Sequence, residues 1–282
     1  MPSRIAIMLL ALVLPFPLAA QVGGRGTPAS GPASAPVSGD EGRAPAHRPM
    51  ATVPAGAYLP LYSPDTATVA VEAFRMDAYP VTRSDFAAFV AASPRWRRDS
   101  VQPVFADERY LLGWASPTDP GDRLDSPATG VSWFAARAYC AWEGKRLPTV
   151  DEWEYVARAD ETRANAMRDP SHKARILELT TRRPKPAPAV GSVFENVYGI
   201  HDLHGLVWEW VSDFNTVTVG TDSRGTSQRD NNLYCAAGAE GATDTEDYAA
   251  FLRYAFRASL QGRSTSAALG FRCAADMGSS HE

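Results

Sequence analysis

Any chemistry done by this chain must come from a small set of reactive side chains. Its three cysteines are Cys140, Cys235 and Cys273. A thiolate can be a nucleophile, half of a disulfide or a ligand for a soft metal. An odd number in an exported chain predicts one disulfide and one thiol left over, and three pairings are open. Cys235, in Asn232-Leu-Tyr-Cys-Ala-Ala-Gly238, reads first as a buried small hydrophobe. The sharper alternative is a copper contact or a mixed disulfide with a partner. The five histidines are His47, His172, His201, His204 and His281. His47 and His281 fall in expected tails, and His201 and His204 read as turn residues rather than as a zinc or iron pair. No Gly-x-Ser-x-Gly elbow supports a serine nucleophile. The glycines from Gly191 to Gly205 lack the pattern that cradles a phosphate ahead of a helix.

The elements that would position these groups are legible in part. Met50 to Tyr58 and then Val69 to Met76 alternate well enough for strands. Thr82 is placed to cap a helix running through Ala91, with Asp85 in its first turn. A loop region rich in Trp, Pro and Asp spans about Arg95 to Pro127. Ser132 starts a second helix through Glu143, which Gly144 ends. Thr149-Val-Asp-Glu152 is a capping box for a third helix. Beyond it the pattern dissolves into turns and short strands. This order predicts an α+β domain rather than alternating βαβ units. Trp133, Trp142, Trp153, Tyr139 and Tyr155 are spaced to fill its core.

The ends carry a different message. Arg4, the apolar run Ile5 to Leu14 and Pro15 to Ala20 follow the order of a secretory signal, expected over residues 1–20 with cleavage after Ala20. The apolar run is too short to span a bilayer. Residues 21–48 are mostly Gly, Ala, Pro and Ser and should form a flexible linker. One domain is expected over residues 49–278, then a tail over 279–282. The net charge is −4, and losing Arg4 makes it −5. That mild, dispersed acidity argues against nucleic acid or an anionic membrane as a partner.

Four ordered blocks then resemble one family, the sulfatase-modifying factors and formylglycine-generating enzymes. They are Val53-Pro-Ala-Gly with Tyr79-Pro-Val-Thr82; Val131-Ser-Trp through Cys140 to Tyr155; Asn196-Val-Tyr-Gly199 through Trp208-Glu-Trp210 to Asp213; and Arg253 to Cys273, ending Leu-Gly-Phe-Arg-Cys. The resemblance implies a variant of the C-type-lectin-like fold, α+β with little regular secondary structure. It implies a structural disulfide between Cys140 and Cys273. It implies a structural calcium held by Asp202, the carbonyls of Gly205 and Val207, and Glu209, which suits an ion that takes six to eight oxygens. The competing reading has Asp202 and Glu209 bonding the backbone of a tight turn. A second family disulfide would fall at Ala157 and Tyr254, where both partners are absent.

The family's catalytic Cys-x-x-x-x-Cys pair, which binds copper(I), falls at Asp244 and Ala249. Neither replaces a thiolate, so no copper is expected and oxidation of a sulfatase cysteine to formylglycine should fail. A groove is expected to persist near Trp208, Arg253, Arg257 and Cys235. Arg257 pairs either with a carboxylate from outside or within a structural ion pair.

The chain most resembles a non-catalytic branch encoded beside copper nitrite reductases. The cues are Phe194-Glu-Asn-Val-Tyr-Gly199 with His201-Asp-Leu-His-Gly-Leu-Val-Trp-Glu-Trp210, Cys235-Ala-Ala-Gly238 and Tyr248 to Arg257. That resemblance implies a periplasmic or secreted accessory protein whose partner is a denitrification metalloenzyme such as copper nitrite reductase. The alternatives are an oxidoreductase or maturation enzyme of the same superfamily using a different site, and a lectin-like recognition module.

Overall fold

Side-chain caps fix three of the helices in this computed structural model, which describes residues 49–63, 66–215 and 242–278. Those residues belong to one compact unit, residues 44–282. The first helix, α1 (Arg83–Ala92), starts at a capping box in which Thr82 and Asp85 exchange bonds with each other's backbone. Ser132 accepts from the Ala135 amide to begin α2 (Trp133–Trp142). That helix stops where Gly144 takes a φ of 66°, a left-handed backbone that glycine adopts without a side-chain penalty. Thr149 and Glu152 form the capping box of α3 (Val150–Ala157).

Two further helices correct the expectation that the pattern dissolves after α3. Asp169 caps α4 (Pro170–Thr181), with Pro170 in its first turn where a missing N–H is tolerated. Asp247 caps α5 (Tyr248–Ala258) by accepting from the Ala250 amide. The loop region after α1 holds one 3₁₀ turn, Pro94–Trp96, and no other helix or strand before α2.

The strands are short. β1 (Met50–Val53), β4 (Phe74–Asp77) and β7 (Ala274–Asp276) form an antiparallel sheet with β4 in the centre. Met76 faces Ala274 across that sheet. β2 (Gly56–Tyr58) pairs with β3 (Val69–Val71), so the alternating stretch that ends at Met76 is two strands belonging to two sheets. β5 (Trp208–Glu209) and β6 (Leu269–Gly270) make a two-residue parallel pair.

Aromatic side chains join these pieces. Phe86 and Phe89 on α1, Tyr139 on α2 and Phe271 are all almost fully buried. Tyr139 meets Phe89 and Phe271 edge-on at 5.6 and 5.4 Å, the geometry that ring quadrupoles favour. Trp153 is buried too, while Trp133, Trp142 and Tyr155 are only partly so. Cys140 on α2 is bonded to Cys273, at a sequence separation of 133. Beside it, the buried carboxylate of Asp77 accepts from Lys145 Nζ at 2.8 Å and from the Cys273 amide at 3.1 Å. The C-terminal segment is therefore anchored to both β4 and α2.

Candidate functional site

The strongest concentration of charge lies where α3 faces α5. Arg253 and Arg257 are one turn apart on α5, so both guanidiniums emerge on one face. That face meets Glu154 of α3. Glu154 Oε1 accepts from Arg253 Nε at 3.0 Å and from Arg257 Nη1 at 2.6 Å, and Oε2 accepts from Arg253 Nη2 at 2.7 Å. All three side chains are nearly inaccessible to solvent. Burial pushes the Glu154 carboxyl up, but the two guanidiniums outweigh it and hold the group down at about 2. Trp153 lies against both cations, its ring centre 5.4 Å from Arg253 and 4.9 Å from Arg257.

A second buried pair continues the network. Trp153 Nε1 donates to Glu209 Oε2 at 2.8 Å. Arg272 donates to the same carboxylate from Nε at 2.9 Å and from Nη2 at 2.8 Å, and neither partner is exposed at all. Arg272 also donates to the carbonyls of His201, Asp77 and Ala78. His204 Nε2 lies 2.9 Å from the Ala157 carbonyl. Burial first, then the nearby Arg253, push its imidazole down to about 3.

Both carboxylates expected to hold calcium have protein partners in this structure. Asp202, at a left-handed φ of 59°, accepts from the backbone amides of Gly191 and Val193, as the competing tight-turn reading has it. Glu209 is paired with the buried Arg272 guanidinium. With Gly205 and Val207 offering only carbonyls, the four residues do not fit a hard cation that needs a largely anionic oxygen shell. Among the described residues, no three His, Cys, Asp or Glu side chains are grouped to hold a metal ion.

The groove expected at Trp208, Arg253 and Arg257 is filled. Trp208 stacks on Phe256 at 4.7 Å, and the Arg183 guanidinium covers it at 3.5 Å. The space left among these residues, Trp153 and Glu209 is about 10 Å³, the room of one water at most. Arg257 is thus a member of a structural ion pair. Cys235 lies outside the described residues.

Asp244 and Ala249 are not a ligand pair. Asp244 Oδ2 accepts from Lys173 Nζ of α4 at 2.6 Å, and Oδ1 accepts from the Glu246 amide. Ala249 is buried in the first turn of α5. Asp244, Ala157 and Tyr254 line a separate cavity of about 170 Å³ on the Tyr58 side of Glu154. Sequence reasoning missed Glu154 and Lys173 as partners in this region. The four-residue spacing of Arg253 and Arg257 shows that two cations share a helix face, but the carboxylate between them is 99 residues from Arg253.

A single α+β domain, bridged from α2 to the C-terminal segment and carrying buried Arg–Glu pairs beside β5, defines the class. The chain belongs to the sulfatase-modifying factor family: the model of the sulfatase-modifying factor enzyme 1-like domain matches residues 38–277. Its fold is that family's variant of the C-type-lectin-like fold. The chain is 30% identical to the inactive C-alpha-formylglycine-generating enzyme 2 of Mus musculus, over 74% of this chain and 77% of that one. It is 31% identical to the formylglycine-generating enzyme of Streptomyces coelicolor, over 74% and 80%. Among solved structures it is similar to PvdO from Pseudomonas aeruginosa, with 20% identity, a TM-score of 0.46, and coverage of 81% of this chain and 94% of that one.

Proposed function

We propose that this chain is a non-catalytic member of its family, an exported accessory protein that binds and assists a denitrification metalloenzyme, copper nitrite reductase in particular. The observation that carries the non-catalytic half is the state of the two positions where family enzymes hold thiolates. Asp244 is engaged by Lys173, and Ala249 has no ligand atom. A carboxylate oxygen is a poor ligand for copper(I), and one side chain cannot supply two thiolates. The similarity to a protein named as an inactive formylglycine-generating enzyme is in keeping with this reading.

The partner rests on the motifs Phe194 to Gly199, Cys235 to Gly238 and Tyr248 to Arg257. Export rests on the signal-like order of residues 1–20. The test is affinity capture from the periplasm of a denitrifying culture, together with the copper content of the reductase in a strain lacking this protein. Co-purification and copper-poor reductase are expected. A reductase that stays fully copper-loaded and never co-purifies would overturn the partner assignment. The non-catalytic half is tested separately, by incubating the copper-treated protein with a cysteine peptide in air. No aldehyde should form.

A further inference from the structure

The segment that follows α4, Arg182-Arg-Pro-Lys-Pro186, lays Arg183 over Trp208 and also forms one wall of an open cavity of about 330 Å³. Arg183 and Lys185 come from this wall. Arg83, from the first turn of α1, and Arg123, from the loop before α2, come from the other side. The lining contains no aspartate or glutamate. It does contain the hydroxyls of Ser126, Thr129 and Ser266.

Four cations around one cavity without a counter-charge are an unusual expense. The comparison lies within the same molecule. Arg253, Arg257 and Arg272 are buried, and each is bonded to a carboxylate. Arg83, buried but less deeply, reaches only the Gly113 carbonyl. Its charge is disfavoured first by burial and then by Arg123, with Asp122 offsetting part of that from outside the lining. The Arg183 Nε is buried without a hydrogen-bond partner. Burial and the neighbouring Arg253 bring the Arg183 guanidinium down to about 10, far below its usual range. Its flat face rests on Trp208, so its position is fixed while its donors are unspent.

We infer that this cavity is a binding site for a small organic polyanion, one bearing carboxylate or phosphate groups that the Arg83, Arg123, Arg183 and Lys185 side chains neutralise together. A guanidinium fork matches the oxygens of either group bidentately, and a lysine at the rim adds a movable point charge. The volume is near the lower end for small-molecule sites, which favours a compact ligand. The site is separate from the dismantled thiolate positions, and its test does not depend on the accessory role.

The experiment is isothermal titration of the purified chain at low ionic strength, with citrate and pyrophosphate as probes and acetate and chloride as controls. Saturable binding of one citrate or pyrophosphate per chain is expected, weakening as salt rises. Tighter citrate assigns a carboxylate ligand, and tighter pyrophosphate a phosphate one. Arg183→Gln should weaken binding about tenfold or more, the value of a lost charge-assisted hydrogen bond. Arg123→Gln and Lys185→Gln, at exposed positions that leave the fold intact, should each weaken it less. If Arg183→Gln fails to fold, these two variants decide. Binding indistinguishable from acetate, or unchanged across the folded variants, would overturn the assignment.

Discussion

Replacing Glu154 with glutamine removes the one negative charge between two buried guanidiniums while keeping the side chain's size. The wild-type carboxyl sits at about 2, against an ordinary 4.5. That difference corresponds to about 3 kcal/mol of stability, in the range found when one partner of a buried ion pair is deleted. For a domain of this length it should lower Tm by about 6–12 °C at pH 7. The pH dependence has a definite sign. The folded-state value is depressed, so the stabilisation is complete above about pH 4.5 and is lost as pH falls toward 2. Thermal melts of wild type and Glu154→Gln, followed by circular dichroism from pH 7 down to pH 3, should therefore draw closer together toward the acid end. A Tm within about 2 °C of wild type at pH 7 would refute the reasoning. So would a gap that widens on acidification.

Three other outcomes are expected. Converting Cys140 and Cys273 together to serine should cost about 2–4 kcal/mol, read from urea midpoints, because the bridge closes a very long loop; coincident midpoints would count against it. The ring protons of His204 should show no titration by NMR between pH 5 and pH 8, because its folded-state value is about 3. Being depressed below 6.5, it contributes stability that is present above about pH 6.5 and is lost as pH falls toward 3, and a midpoint inside the observed window would contradict its burial. Adding EGTA should leave Tm unchanged, since Arg272 already neutralises Glu209. A drop that calcium reverses would restore the ion to that turn.

Much of the frame was readable because caps are local. Thr82 with Asp85, Ser132, and Thr149 with Glu152 each announce a helix within four residues, and all three helices begin where those residues place them. The two missed helices bury mixed rather than purely apolar faces. In α4 the buried positions are His172, Ile176 and Thr180, spaced by four but only one of them hydrophobic. The Asp169-Pro170 pair was the available signal. In α5 two of the five buried positions are arginines, which hydrophobic periodicity counts as surface. Their burial depends on Glu154, and no local pattern reveals a partner that far along the chain. Asp202 and Glu209 show the same limit from the other side. Their types suit a cation, but whether a carboxylate meets an ion, two amides or a guanidinium is decided by tertiary contacts. Arg272, 63 residues from Glu209, settles that for the second.

The position of the strand that completes the main sheet has a consequence for biogenesis. Phe271, Arg272, Cys273 and β7 supply a core ring, a buried cation, a disulfide partner and a sheet edge to elements made up to 202 residues earlier, the distance from Phe74 to Asp276. A nascent chain that has not yet delivered this clasp holds Glu209 unneutralised and Cys140 unpaired. Folding must wait for contacts of high sequence separation, which are slow to form. Nascent chains should thus remain protease-sensitive until residue 276 has emerged.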